Sequence, residues 1–348
     1  MVALGVFLHA VGGFAAGSFY IPFKKVRNWA WESYWIVGGL FSWIIAPLVV
    51  ALLTVPELFS VLGKAPPSSV FWCYILGMLW GIGGLTFGLS MRYLGMSLGY
   101  AIALGFCAAF GTIIPPVFRG QFGYIVTHAS GLTTLAGIFV CLAGIGICGW
   151  AGISKENELS EEKKKQAIKE FSFAKGLWVA VFSGVMSACM AFGIAAGEPI
   201  SKLAVDCGTQ SLWQVNPVYV FVFAGGFTTN FVWCVFLNIK NRTAKDYVSR
   251  SDAPLTINYI FSAMAGVTWY LQFMFYGMGT TRMGDYGFSS WSIHMAFIIV
   301  FSNIWGMIFH EWKGSSRRTH GIVFLGIIVL IISVVVLGLG SYLKFIGK

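Results

Sequence analysis

The chain alternates between long apolar runs and short polar breaks. Runs of about twenty residues suffice for a helix to cross the ~30 Å hydrocarbon layer of a bilayer. Five such runs fall at roughly 2–21, 33–53, 69–90, 97–117 and 131–150, and five more at roughly 176–197, 217–238, 258–279, 287–309 and 321–342. The longest polar interval, Ser154 to Lys175, carries the mixed-charge run KENELSEEKKKQAIKE and divides five runs from five. It reads as a solvated cytoplasmic linker, partly helical. The expectation is an all-α membrane protein of ten transmembrane helices. A first five-helix repeat spans 1–153, the charged linker 154–175, and a second five-helix repeat 176–348.

A repeat is visible in the pattern itself. The glycine-rich stretch GMLWGIGGLTFGLSMRYLGMSLG (77–99) returns in outline at 266–288, at a constant offset that aligns Gly77 with Gly266, Trp80 with Trp269, Phe87 with Tyr276, Gly88 with Gly277 and Gly95 with Gly284. Each copy ends in a short connector carrying one arginine, Arg92 or Arg282. Internal repeats of this kind build many secondary transporters. Orientation follows from the basic residues: 17 of the 23 Lys and Arg lie in the connectors after runs 1, 3, 5, 7 and 9. The positive-inside rule places those connectors in the cytoplasm and both termini outside. Five spans per half then invert the second half relative to the first, giving a 5+5 inverted repeat.

Composition sharpens this reading. The chain is 57% hydrophobic and 10% charged, with a mean hydropathy of +0.77, outside the range of soluble domains. Its formal charge of +10 is explained by basic cytoplasmic loops. It does not point to nucleic acid, since no basic patch is interleaved with aromatics. Six of the seven cysteines lie inside apolar runs and none forms a Cys-x-x-Cys pair, so neither a disulfide framework nor a metal site is expected. The first run lacks a preceding basic segment and is expected to stay in the bilayer. No His-Glu-x-x-His, Gly-x-Ser-x-Gly or phosphate-binding glycine loop occurs, which argues against an enzyme. No cofactor and no obligatory protein partner is implied beyond the lipid bilayer.

Several residues are candidates for chemistry. Gly5, His9, Gly13 and Gly17 recur every four residues, making one face of the first helix nearly bare backbone around a single imidazole. Small residues at this spacing let helices approach closely, so His9 should point inward, as a proton-coupling group or as a neutral packing residue. His294, one turn after Ser290, is a candidate for proton coupling and for substrate contact. Glu32 begins the second run, where a carboxylate favours the helix dipole; it is a further proton-coupling candidate. Arg92 and Arg282 read as gating or structural charges at the ends of apolar runs. Trp269, Gln272 and Tyr276 share a helical face, and the matching side of run 3 carries Trp80 and Phe87. Aromatic rings with an amide suit a neutral sugar, in a mostly apolar pocket with few placed polar groups. Trp29, Trp31, Trp35 and Trp312 read instead as an interfacial belt.

Several passages together resemble a known family. They are SFYIPFKKVRNWAWESYW (18–35), LWGIGG (79–84), GLSMRYLGMSLG (88–99), WYLQFMFYGMG (269–279), SSWSIHM (289–295) and HEWKG (310–314). They are similar, across essentially the whole chain, to the bacterial L-rhamnose–proton symporter family of the drug/metabolite transporter superfamily. The resemblance implies a multi-pass carrier of the bacterial inner membrane that takes up L-rhamnose or a related 6-deoxyhexose or pentose with a proton, sodium remaining open as the coupling ion. A metabolite or drug exporter on the same scaffold, and a membrane sensor or assembly subunit, are the alternatives. His9, Lys24, Lys25, Glu32, Trp80, Arg92, Trp269, Gln272, Tyr276, Arg282 and His294 match positions expected in the family. Gly84-Leu85-Thr86-Phe87 departs from an Asn-x-Asn-Tyr run, Thr280 replaces a His, and Glu198 stands in place of a Lys. These departures bear on the choice of sugar and speak against Glu198 as a shared proton site.

Overall fold

A computed structural model of the chain describes residues 2–94, 96–158, 173–248, 254–284, 289–310 and 312–345. The described residues contain helices and no strand. The main helices are α1 (Val2–Ser18), α2 (Trp31–Thr54), α3 (Pro67–Leu94), α4 (Met96–Phe118), α5 (Ala129–Asn157), α6 (Phe173–Ala196), α7 (Asn216–Asn241), α8 (Leu255–Thr280), α9 (Ser290–Ile308) and α10 (Arg317–Phe345). Each falls on one of the apolar runs. Among the described residues, eight helical stretches are long and apolar enough to cross a membrane. Short helices that hydropathy did not foresee occupy Tyr20–Phe23, Leu58–Lys64, Phe122–Thr127 and Glu198–Asp206. Residues 159–172 of the charged linker lie outside the described residues.

α2 is not a uniform helix. Its turn Phe41–Ile45 is π-helical, and Pro47 follows at the start of Ala46–Thr54. Proline has no N–H for the carbonyl four residues back, and its ring crowds that carbonyl. A wider turn just before it relieves the conflict, and Trp43 sits in that turn.

The chain forms two compact units, and each draws on both halves of the sequence. Unit 1 comprises Met1–Phe14, Gly83–Phe192 and Gly279–Lys348; unit 2 comprises Ala15–Ile82 and Gly193–Met278.

In unit 1, α5 and α10 pair along their length, α4 packs on α5, α9 on α10, and α4 on α9. The α5–α10 pair is antiparallel and close because small residues on each helix oppose the other. Gly137 faces Leu337, Gly144 faces Leu330, Gly326 faces Cys148 and Gly340 faces Thr134. The α5 positions step by three, seven and four, the spacing of one helical face. A Cβ at Gly340 would lie 2.3 Å from Thr134 Oγ1, so only glycine admits this contact. In a bilayer such packing replaces the hydrophobic drive between helices. Polar cross-links add to it: Thr112 and Ser292 hydroxyls are 2.7 Å apart, and Trp291 Nε1 donates to the Cys107 carbonyl at 3.0 Å.

In unit 2, α7 packs along α2. Two close backbone contacts set its spacing. A Cβ on Gly77 of α3 would lie 2.0 Å from the Val222 carbonyl oxygen on α7, and one on Gly266 of α8 would lie 2.2 Å from the Gly38 carbonyl oxygen on α2. The two glycines are those the sequence aligns. Near one end of the unit, Ala51, Val55, Leu58, Val61 and Ala204 form a buried apolar cluster. Elsewhere, polar side chains tie α2 to α7: Trp35 Nε1 donates to Asn230 Oδ1 at 3.0 Å and Asn216 Nδ2 to Thr54 Oγ1 at 2.8 Å. Of the expected interfacial tryptophans, Trp29 is buried and packs edge-on against Tyr259 at 4.9 Å, and Trp35 is held by Asn230, so both also have partners distant in sequence.

Candidate functional site

Trp80 and Trp269, aligned by the repeat, meet in unit 2 with ring centroids 5.5 Å apart and planes 34° from each other. Trp43 stands edge-on to both, at 5.9 Å from Trp80 and 5.7 Å from Trp269. Phe223 of α7 packs beside Trp269 at 5.6 Å, and Tyr219 stacks on Phe223 at 5.2 Å. Such edge-to-face and offset contacts are the arrangements aromatic quadrupoles favour. Tyr219 donates its hydroxyl to the Phe273 carbonyl at 2.7 Å, and Gly277 leaves space for that hydroxyl, since a Cβ there would come within 2.8 Å of it.

Gln272 and Tyr276 are each 5% exposed on α8. Tyr270, on the same helix, buries its hydroxyl with no partner among the described residues, as does the Trp43 indole nitrogen. Buried polar groups without partners are costly, and a ligand or water is the usual remedy. The sequence reading named Trp80, Trp269, Gln272 and Tyr276 and missed Trp43, Phe223, Tyr219 and Tyr270. Trp43 carried one available signal: it is a tryptophan in mid-run, away from either interface.

Beside this cluster a recess of about 210 Å³, counting its open mouth, lies between α2, α8 and the helix Tyr20–Phe23. Trp43 and Trp269 line it, with Gly38, Gly39 and Gly266 leaving its walls without side chains.

Unit 1 holds the two imidazoles. His9 of α1 and His294 of α9 are wholly buried, with ring centroids 6.2 Å apart at 61°. Three glycines make this possible. Gly5 and Gly13 bring α1 against Gly279 and against Phe297 of α9, and a Cβ on Gly279 would sit 2.9 Å from His9 Nε2. The inward direction expected for His9 is what its burial shows. Ser290 and Ser292 on α9 are buried as well.

Glu32 belongs to a different constellation. Its Oε1 accepts from Asn241 Nδ2 at 2.9 Å and Thr243 Oγ1 at 2.8 Å, at the C-terminal end of α7. Asp246, nearby in sequence, accepts from the Ala30 N–H and Ser33 Oγ, both at 2.8 Å. Asn258 closes the set, accepting from the Arg27 N–H and donating to the Arg27 carbonyl. Both carboxylates are buried, and the sequence reading gave no sign of Asp246. Its partners lie more than two hundred residues away in sequence. Tyr247 beside it has its phenol raised above the ordinary value, chiefly because burial disfavours the phenolate.

Arg282 lies in the turn after α8, its stem against Gly5, with its Nε buried and unpartnered among the described residues. Arg92 is on α3 by its backbone, and its side chain lies outside the described residues. Glu198 forms an exposed pair with Lys202 at 3.0 Å, a contact of small energetic weight.

The family model described as L-rhamnose-proton symport protein (RhaT) matches residues 1–342. The chain is 38% identical over 342 residues to an L-rhamnose-proton symporter of Cronobacter sakazakii, a match covering 97% of this chain and 98% of that one. Symporters of the same name from Salmonella gallinarum and Yersinia pestis are each 36% identical over the same length, with the same coverage.

Proposed function

Because the chain belongs to the L-rhamnose-proton symport protein (RhaT) family, we propose that it takes up L-rhamnose, or a closely related 6-deoxyhexose or pentose, together with a proton across the inner membrane. The observation that carries the sugar side is the Trp80–Trp269 pair beside buried Gln272. Aromatic faces hold the C–H side of a sugar, and an amide answers its hydroxyls. Trp80, Trp269, Gln272 and Tyr276 are assigned to sugar binding. His9 and His294 are assigned to the proton, because a titratable pair buried among close-packed helices is a costly feature that a proton relay requires. His294, next to buried Ser290, is the residue assigned to both tasks. Arg282 and Arg92 are structural charges on this reading, and Glu32 is a latch whose Oε1 is held by Asn241 and Thr243.

The scaffold on this reading is the ten-helix inverted repeat of the drug/metabolite transporter superfamily. Its support is the way equivalent helices pair within each unit: α2 with α7, α4 with α9, and α5 with α10. The aligned glycines Gly77 and Gly266 also make matching backbone contacts, one from α3 to α7 and one from α8 to α2. Alternating access about a midplane site is the motion such repeats perform. The proton supplies the coupling to voltage, about 2.3 kcal/mol per charge per 100 mV.

Labelled L-rhamnose uptake by proteoliposomes tests the function. Accumulation under an inward proton gradient, abolished by a protonophore, is expected. Accumulation that follows sodium instead would replace the coupling ion, and absence of any sugar movement would overturn transport. The topology has its own test. Cysteines at Lys163 and Lys348 in a cysteine-free background should react differently with an impermeant maleimide, position 348 from outside and 163 only from within. Labelling of position 163 from the periplasmic side would reverse the orientation.

A further inference from the structure

The recess in unit 2 is nearly wholly apolar. Gly38, Gly39, Gly266 and Ala265 lie in its lining beside rings, among them Trp43 and Trp269, and the glycines bring the ring of Phe23, the ring of Trp43 and the Gly38 carbonyl close against the backbone. Trp43 turns its carbocyclic edge toward Gly39: a Cβ on that glycine would lie 2.6 Å from Trp43 Cζ3 and 2.8 Å from Cε3. These atoms are at the far end of the indole from its N–H. The hydroxyl in the lining, Ser42 Oγ, donates to the Gly39 carbonyl, and the Trp35 indole N–H donates to Asn230. A polar group placed here therefore finds little to bond, and would lose its water without compensation.

Size adds a second constraint. Beyond its open mouth the recess has room for about one small group, on the order of a water in size. A whole pyranose does not fit there, and one small substituent does. Trp269 belongs both to this lining and to the ring pair assigned to the sugar, so a sugar on Trp269 has a substituent within reach of the recess.

We propose that this recess takes the C6 methyl group of a 6-deoxyhexose and so sets the preference of the carrier for L-rhamnose over a pentose that lacks that methyl. The proposal rests on the sugar-transport reading above. The methyl is the sole wholly apolar substituent on the L-rhamnose ring. L-Lyxose has the same ring hydroxyl pattern with a hydrogen in its place.

The experiment is initial-rate uptake of labelled L-rhamnose and L-lyxose in proteoliposomes, for wild type and for two variants that fill the recess, Ala265→Val and Ser42→Val. Wild type should show a half-saturation concentration about fourfold lower for L-rhamnose, the value of one buried methyl group. Each variant should raise the L-rhamnose value by about fourfold or more and leave L-lyxose within about twofold, as expected when added bulk displaces one substituent. The second variant guards against misfolding of the first, and wild type decides without either. Transport of both sugars by wild type with equal half-saturation overturns the assignment of the recess. So does a variant that weakens both sugars by the same factor. If wild type moves neither sugar, the transport reading is what fails.

Discussion

In unit 2 the buried carboxylates Glu32 and Asp246 are each held by two donors from the opposite half of the sequence, whereas unit 1 buries two imidazoles set ring against ring. The first arrangement is a knot. Charge-assisted hydrogen bonds of this kind contribute about 1.5–3 kcal/mol each, and here they converge on one oxygen of each carboxylate, Glu32 Oε1 and Asp246 Oδ2. The second is a pair of ionisable rings, and a change of charge biases a conformational equilibrium only where the two states solvate it differently. Under the proposed function, fixed polar structure and aromatic recognition belong to unit 2 and proton chemistry to unit 1.

The largest expected effect tests that division directly. His9→Gln keeps hydrogen-bonding capacity and similar size but has no ring nitrogen to take up a proton. Equilibrium exchange of sugar should survive while accumulation driven by a pH gradient is lost. If the variant concentrates sugar as wild type does, His9 is a packing residue and the contrast between the units loses its functional meaning.

Next in size is the packing of the repeat. Gly77→Ala and Gly266→Ala each drive a methyl into a backbone carbonyl, of Val222 or of Gly38, which cannot rotate away. Each should cost about 1–3 kcal/mol, read as a fall in the thermal midpoint in detergent. Gly84→Ala on α3, where nothing lies within 4 Å, should be neutral or slightly stabilising through helix propensity. Equal effects at all three positions would show that glycine matters there for backbone freedom and not for helix approach.

Those glycines also show what the sequence made legible. The ten runs follow from hydropathy because a bilayer demands about twenty apolar residues in a row. The Trp80–Trp269 meeting was foreshadowed by the offset that also aligns Gly77 with Gly266. His9 inside unit 1 followed from the four-residue glycine spacing on α1. What stayed hidden depends on residues far apart in the chain. Asp246 looks like an ordinary loop carboxylate until Ala30 and Ser33 are brought to it. Nothing near Trp29 and Trp35 in the sequence announces Tyr259 and Asn230 as their partners. Glu32 sits where a helix dipole would place it, and its partners Asn241 and Thr243 leave no local trace. The π-helical turn before Pro47, which sets Trp43 against Trp80 and Trp269, is a break in the period that a hydropathy count does not register.

Within unit 2, Gln272→Ala sharpens the sugar side of the contrast. Removing one hydrogen bond to a neutral group costs about 0.5–1.5 kcal/mol, so the half-saturation concentration for sugar should rise roughly two- to tenfold with the pH dependence of uptake unchanged. Trp269→Ala should weaken uptake in the same direction. Unchanged kinetics in both variants at equal expression would move the pocket away from α8.

The smallest effect belongs to Glu158, a carboxylate of unit 1 outside the spans. Glu158 follows the end of α5, and its carboxylate accepts from the Ser316 N–H, the Ser316 hydroxyl and the Thr319 hydroxyl, each at 2.6 Å. These donors, led by Ser316, hold its pKa below the ordinary carboxylate value. Ser316 immediately precedes α10, so a negative charge there also meets the positive end of that helix dipole. A carboxylate lowered on folding contributes stability that is present above its unfolded value, near 4.5, and lost as pH falls through the folded one. Because the group is exposed, solvent screens most of this contribution. Glu158→Gln should therefore lower the thermal midpoint slightly at pH 7, and the difference from wild type should close as the pH is taken below 4.5. A difference that persists undiminished in acid would mean that the side chain ties α5 to α10 through packing or neutral hydrogen bonds, and that its charge contributes nothing.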